Sequence, residues 1–215
     1  MKALITSTTK IVDMGHIFAS QEFWYTEEER ANAPSHDKEI RKAEAIKCAI
    51  TWPRHLVEYF KPAYSFVGGT DDLNNKQIVD VAIEECTKAL EQYSGEDIVC
   101  IVALGEFEHS DIETERCLTK INELRNFCTD NNIQLFYTFI GWYIVDFFYD
   151  YPDDHIVDEV LEDYRNFDMP IKDWVIRRTN NVEMICPFHP TTKGHILYTY
   201  EGLVPMLEEY GITRT

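Results

Sequence analysis

The sequence predicts a three-layer α/β fold built on a parallel sheet. Short apolar runs alternate with stretches of helical periodicity along the 215 residues. One run, residues 97–104, is apolar almost throughout, which is typical of a strand covered on both faces. In such folds helices cover both faces of the sheet, and ligands bind at the carboxyl ends of the strands. The expected strands lie at residues 2–6, 63–67, 97–104, 133–140 and 182–185.

Apolar residues at helical spacing predict the helices between these strands. Residues 38–59 have this spacing, and Thr51-Trp52-Pro53 either interrupts their helix or starts a second one at Pro53. Residues 10–37 are expected to form a long loop with at most one short helix, and long ordered loops are often functional. Further helices are expected at residues 76–93, 111–131, 154–164 and about 191–210.

Length and charge narrow the classes of function. A chain of 215 residues suits a single domain, here taken as residues 1–215. The formal net charge of −18 repels phosphate backbones and anionic lipid surfaces at long range. We therefore expect neither nucleic acid nor membrane as a partner.

The cysteines and the amino terminus indicate where the chain is made. The six cysteines fall mostly inside apolar or helical patterns, which is typical of reduced thiols in a core. Residues 1–6 are too short in apolar residues for a signal peptide, and no apolar run is long enough to span a membrane. We expect synthesis in a reducing cytoplasm. A viral protein made there would have the same sequence features.

Small or catalytic residue types follow several of the predicted strands. Ser7 follows the first, Gly68-Gly69 the second and Gly105 the third, while His189 lies just after the fifth. The carboxyl ends of parallel strands meet at one sheet edge, so these residues are expected to lie close together. A hydroxyl nucleophile, an imidazole base and backbone donors for an oxyanion are what acyl transfer needs.

Three blocks of the chain resemble the SGNH (GDSL) hydrolases. They are Trp52-Pro53, the turn from Gly69 to Asn74-Asn75, and His189-Pro190 followed by Gly194-His195. The similarity is closest to versions found in tailed phages and extends over nearly the whole chain. It implies a flavodoxin-like α/β/α domain with a central parallel sheet of five strands. It also implies Ser7 as nucleophile, His189 as general base, and Gly69 and Asn74 (or Asn75) near the oxyanion.

The chain departs from the pattern of that family at three places. Its first block reads Ile5-Thr6-Ser7, without the family's glycine and aspartate. After the central strand, Gly105-Glu106-Phe107-Glu108 keeps a glycine but lacks the asparagine that donates to the oxyanion. Cys186 stands where the family has the acid that orients the histidine, and a thiol is a weak hydrogen-bonding partner.

Two functions follow from this combination. The first is a catalytically degraded SGNH-like protein that serves as a binding or structural module, as in a phage virion, as an oligomer or as part of a larger assembly with other proteins. The alternative is an active serine esterase that uses Ser7 and His189 on an O-acylated carbohydrate or similar ester. The acidic and aromatic insertion at about residues 142–174 then forms either a lid over a carbohydrate cleft or a protein interface.

No metal or cofactor is predicted. Cys186, His189 and His195 have ligand chemistry but lack a fourth partner for zinc. A buried, inert thiol is the preferred interpretation of Cys186 over a nucleophile. The acidic turns that contain Asp71-Asp72 and Glu106 are interpreted as solvated loop charges and not as a cation site.

Overall fold

A computed structural model describes residues 1–8, 52–68, 74–105, 111–139, 174–175, 178, 185–186, 189–190 and 192–214. Within them the strands are β1 (Ala3–Thr8), β2 (Tyr64–Gly68), β3 (Ile98–Leu104), β4 (Gln134–Phe139), β5 (Ile185–Cys186) and β6 (His189–Pro190). The helices are α1 (Trp52–Phe60), α2 (Asn75–Leu90), α3 (Asp111–Asp130), α4 (Thr192–Leu197) and α5 (Val204–Glu209). A π-helical turn, Tyr198–Leu203, joins α4 to α5.

Four parallel strands form the central sheet in the order β2-β1-β3-β4. Each of them lies where the sequence predicted a strand, within two residues at either end. In the register, Ser7 of β1 is opposite Gly68 of β2 and Val102 of β3. The predicted α/β class with a parallel sheet between helices is therefore confirmed.

The inner strand β3 is buried along its whole length, because helices pack on both faces of the sheet. Alternate residues, from Ile98 to Leu104, pack with α2 and α3 on one face. The intervening residues pack with α1 and the C-terminal helical segment, α4 to α5, on the other face. This accounts for the uninterrupted apolar run, since neither face of β3 contacts water.

Helix α1 contains the Trp52-Pro53 pair, whereas residues 38–51 lie outside the described residues, so the choice between an interrupted helix and a second helix stays a prediction. The described helix spans Trp52–Phe60, with Pro53 as its second described residue. Trp52, Leu56 and Phe60 follow at intervals of one helical turn and are fully buried against the sheet. Trp52 therefore anchors α1 to the core.

The C-terminal segment is not the uniform α-helix that the sequence predicted. Within Tyr198–Leu203 the backbone widens, and the Val204 N–H donates to the carbonyl of Thr199, five residues earlier. Pro205 follows at once; it has no N–H to donate, and its ring would clash with the carbonyl four residues before it in a regular helix. A π-helical turn accommodates a proline of this kind without ending the helix.

The predicted fifth strand of the parallel sheet stays a prediction. Residues 182–184 lie outside the described residues, and Ile185–Cys186 pairs antiparallel with His189–Pro190 in a separate two-stranded sheet. The loop predicted at residues 10–37, the helix at 154–164 and the insertion at 142–174, apart from Trp174, also lie outside what the structure describes.

Four of the cysteines agree with the prediction of reduced core thiols. Cys86, Cys100, Cys117 and Cys128 are free and buried. Hydrogen bonds with Cys128 and Cys86, together with burial, raise the pKa of the Cys100 thiol above its ordinary value. No helix within the described ranges has the length and apolar character that a membrane crossing needs.

Replacing Gly95 tests the packing at the amino end of β3. A Cβ at this position would lie 1.7 Å from the backbone oxygen of Asn131, just after α3. We expect Gly95→Ala to lower the free energy of unfolding by roughly 1–3 kcal/mol, because backbone has to move to admit the methyl group. Urea denaturation measures the loss, and Ser94→Ala, at an exposed neighbour, is the control. Equal stability of the two variants would contradict the described packing.

Candidate active site

The carboxyl ends of the strands bring some of the predicted site residues together. Ser7 lies next to Gly68 across the β1–β2 pairing, and Gly105 directly follows β3, the other neighbour of β1. The structure therefore places Ser7 and these two glycines at one edge of the sheet. Gly69 lies outside the described residues. For His189 the structure gives the position of the backbone in β6.

Ser7 is buried and its hydroxyl already has a partner. The side chain is 0 % exposed, on the sheet face that α2 and α3 cover. Its Oγ donates a hydrogen bond of 2.7 Å to the carbonyl of Ile78, in the first turn of α2. A carbonyl oxygen has two lone pairs, so Ile78 can accept from Ser7 and still serve the helix. The hydroxyl thus joins β1 to α2.

The Phe66 ring fills the space beside the residue that pairs with Ser7. Gly68, the residue paired with Ser7, has no Cβ, and a Cβ there would lie 2.2 Å from Cε1 of the Phe66 ring. The ring therefore occupies the space that a side chain at Gly68 would need. This packing explains the glycine at the end of β2.

The neighbouring hydroxyl of Thr6 is engaged in the same way on the other sheet face. Thr6 is 0 % exposed, and its Oγ1 donates to the carbonyl of Phe66 at 3.0 Å. The hydroxyls of two consecutive residues of β1 thus each donate a hydrogen bond to a backbone carbonyl. Buried polar groups are generally satisfied in this manner, because an unpaired hydroxyl in a core is costly.

Asn74, predicted near the oxyanion, caps helix α2. Its Oδ1 accepts from the Gln77 N–H at 3.0 Å, and Gln77 Oε1 accepts from the Asn74 N–H at 3.0 Å. This reciprocal pair is a capping box, which satisfies two N–H groups at the start of the helix. The Asn74 amide oxygen therefore has a structural role at an exposed position.

Asn75 is the residue that connects α2 to the end of β3. Its Oδ1 accepts from the Gly105 N–H at 2.7 Å, and its Nδ2 donates to the Gly105 carbonyl at 3.3 Å. This two-point contact, which we call the amide clamp, fixes the backbone where β3 ends. The Gly105 N–H consequently points at Asn75 and not at a bound oxyanion. The Asn-Asn pair after a Gly-Gly turn was the only sequence signal for it.

Cys186 and His189 are direct partners across the β5–β6 pairing. Residues that face each other in antiparallel strands have Cβ atoms about 4.5–5.5 Å apart. The position where the SGNH resemblance expects the orienting acid therefore lies beside the position of its histidine.

A buried polar pair lies near the carboxyl end of β4. The hydroxyls of Thr138 and Tyr198 are hydrogen-bonded, and both side chains are buried. Burial raises the pKa of Tyr198 well above its ordinary value, although the hydrogen bond with Thr138 opposes the shift. Tyr198 therefore stays neutral and acts as a polar contact between β4 and the C-terminal segment. Sequence reasoning missed this pair.

His195 belongs to the core and not to an open cleft. The residue is 3 % exposed, and its carbonyl accepts from Thr199 Oγ1 at 2.8 Å, one turn later. Among the described residues, no group of three or more His, Cys, Asp or Glu side chains is arranged to hold a metal ion. The acidic turns at Asp71-Asp72 and Glu106 lie outside those residues.

Comparisons with protein-family models, with curated proteins and with solved structures found no match to this chain.

The amide clamp and the helix cap make a matched pair of variants. Asn75→Ala leaves both the N–H and the carbonyl of Gly105 without this partner, and we expect a loss of about 2–4 kcal/mol in the free energy of unfolding. Asn74→Ala removes an exposed cap and should cost about 1 kcal/mol. Urea denaturation compares the two, with exposed Lys76→Ala as control. A smaller effect at Asn75 than at Asn74 would contradict the clamp.

Proposed function

We propose that this chain is an SGNH-like α/β/α domain that works as a binding or structural module and does not hydrolyse esters through Ser7. The observation that carries this proposal is the state of the candidate nucleophile. Ser7 is 0 % exposed, and its hydroxyl donates to the Ile78 carbonyl. A serine nucleophile has to present its oxygen to the substrate and its proton to a base.

The altered signature positions also argue against ester hydrolysis. Removal of the orienting acid costs about 10⁴ in turnover in the serine-protease triad. Removal of a single oxyanion donor costs about 10² to 10³. Here the acid position is Cys186, and the Gly105 N–H is engaged by Asn75. Each departure alone would slow hydrolysis greatly, and the chain combines both with a buried serine.

The strand order supports the finer fold assignment within this proposal. The order β2-β1-β3-β4 is the first part of the 2-1-3-4-5 order of flavodoxin-like sheets. A fifth parallel strand would join at the free edge of β4. We place the segment around residues 182–185 there as part of the proposal, next to the hairpin that contains His189.

The partners we propose are proteins. A net charge of −18 favours cationic protein surfaces over nucleic acid or anionic lipid. A place in a phage particle rests on the sequence resemblance alone and stays a prediction.

The alternative function, an active esterase, is supported by the backbone arrangement. Ser7, Gly68 and Gly105 share one sheet edge, and Cys186 is the cross-strand partner of His189. An ester of a carbohydrate would then be the substrate class. This alternative requires Ser7 to leave Ile78 and α2 to move aside, and it makes a different prediction for labelling.

Fluorophosphonate labelling followed by peptide mapping separates the two functions. We expect no adduct on Ser7 in the folded chain, because its hydroxyl is buried and bound. Cys186→Asp restores an acid beside His189 and should still give no adduct, since the obstacle lies at Ser7. Labelling of Ser7 that is abolished by His189→Ala would establish the esterase and overturn the proposal.

The stability of Ser7→Ala gives an independent test. We expect the variant to lose about 1 kcal/mol in the free energy of unfolding, because a buried hydrogen bond between β1 and α2 is removed. Exposed Ser65→Ala in β2 is the control and should be nearly neutral. Catalytic residues often reduce stability, so their replacement is commonly neutral or stabilising. A stabilised Ser7→Ala variant would therefore contradict a structural role for this serine.

A further inference from the structure

Two tyrosines and an isoleucine form a strip of large side chains on α1 and the C-terminal segment. They are Tyr59, Tyr200 and Ile196, and we call them the tyrosine strip. Tyr200 and Ile196 are each 40 % exposed although both are large and apolar. The ring centroids of Tyr59 and Tyr200 are 6.0 Å apart with an interplanar angle of 72°, so the two rings form one continuous surface.

The strip already binds one cation of the chain itself. Cζ of Arg214 lies 5.6 Å from the centroid of the Tyr59 ring, within the range of a cation–π contact. The hydroxyl of Tyr59 donates to Glu208 Oε1 at 2.6 Å. A guanidinium therefore lies over a tyrosine ring whose hydroxyl is held by a carboxylate.

Tyr200 contacts a histidine that has a carboxylate nearby. The His55 ring contacts Tyr200 edge-on, with centroids 5.8 Å apart, and Glu58 Oε2 lies 3.9 Å from His55 Nδ1. The Glu58 side chain is 63 % exposed, which leaves its carboxylate accessible to a ligand. Glu201, the residue after Tyr200, instead forms an ion pair of 2.9 Å with Arg178.

We propose that the tyrosine strip is the docking surface for a basic protein segment, whose arginine or lysine side chains stack on Tyr200 and pair with Glu58. The inference rests on the proposed function as a binding module and names the chemistry of its partner. Charge complementarity selects this occupant, because a chain of net charge −18 attracts a cationic segment and repels a second copy of itself.

Titration with a short fluorescent peptide of alternating arginine and glycine tests this proposal by anisotropy. We expect Tyr200→Ala to weaken binding about two- to fivefold, whereas Tyr200→Phe keeps the ring and most of the affinity. Glu58→Gln should also weaken binding. Glu96→Gln makes the same change in charge at an exposed turn before β3 and should leave the affinity unchanged.

Two outcomes would overturn the proposal. Equal weakening by Glu58→Gln and Glu96→Gln would show general attraction to an acidic surface and no site at the strip. A dimer in sedimentation velocity that Tyr200→Ala dissociates would assign the strip to a second copy of the chain. Circular dichroism checks that each variant is folded, and Tyr200→Phe is the conservative control for Tyr200→Ala. A Ser7 adduct would overturn the proposed function. The docking surface is tested separately, by the peptide titration.

Discussion

The burial of β3 on both faces is the constraint on which the rest of the fold depends. None of its seven residues is more than 2 % exposed. Such a strand is stable only when a strand lies on each side and a helical layer covers each face. Strands β1 and β4 provide the neighbours, α2 and α3 one cover, and α1 with the C-terminal segment the other.

That constraint also determines what the candidate site can do. Because α2 has to lie against β1 and β3, the side chain of Ser7 meets the carbonyl of Ile78, and Asn75 meets the end of β3. Both polar groups that a hydrolase would use at this edge are thereby engaged in holding α2 to the sheet. The tyrosine strip belongs to the opposite helical layer, where packing leaves Tyr200 and Ile196 exposed.

The four parallel strands and the helices that pack on them were largely predictable from the sequence, and the arrangement of the candidate site was not. The strands and α2 follow from periodicity, since burial of one or two faces imposes a pattern on each segment. The π-helical turn depends on how Pro205 is accommodated. Asn74 and Asn75 are adjacent in the chain, yet Asn74 caps α2 and Asn75 binds the backbone at the end of β3. The burial of Ser7 depends on where α2 packs, and local sequence does not encode that placement.

The central claim is that the Ser7 hydroxyl is a structural link between β1 and α2. Solution NMR of the Ser7 hydroxyl proton tests it most directly, because a buried and bonded proton exchanges slowly with water and an accessible one exchanges rapidly. We predict an observable Ser7 hydroxyl resonance with nuclear Overhauser contacts to the first turn of α2. A hydroxyl in rapid exchange, with contacts from Ser7 to the ring of His189, would contradict this account.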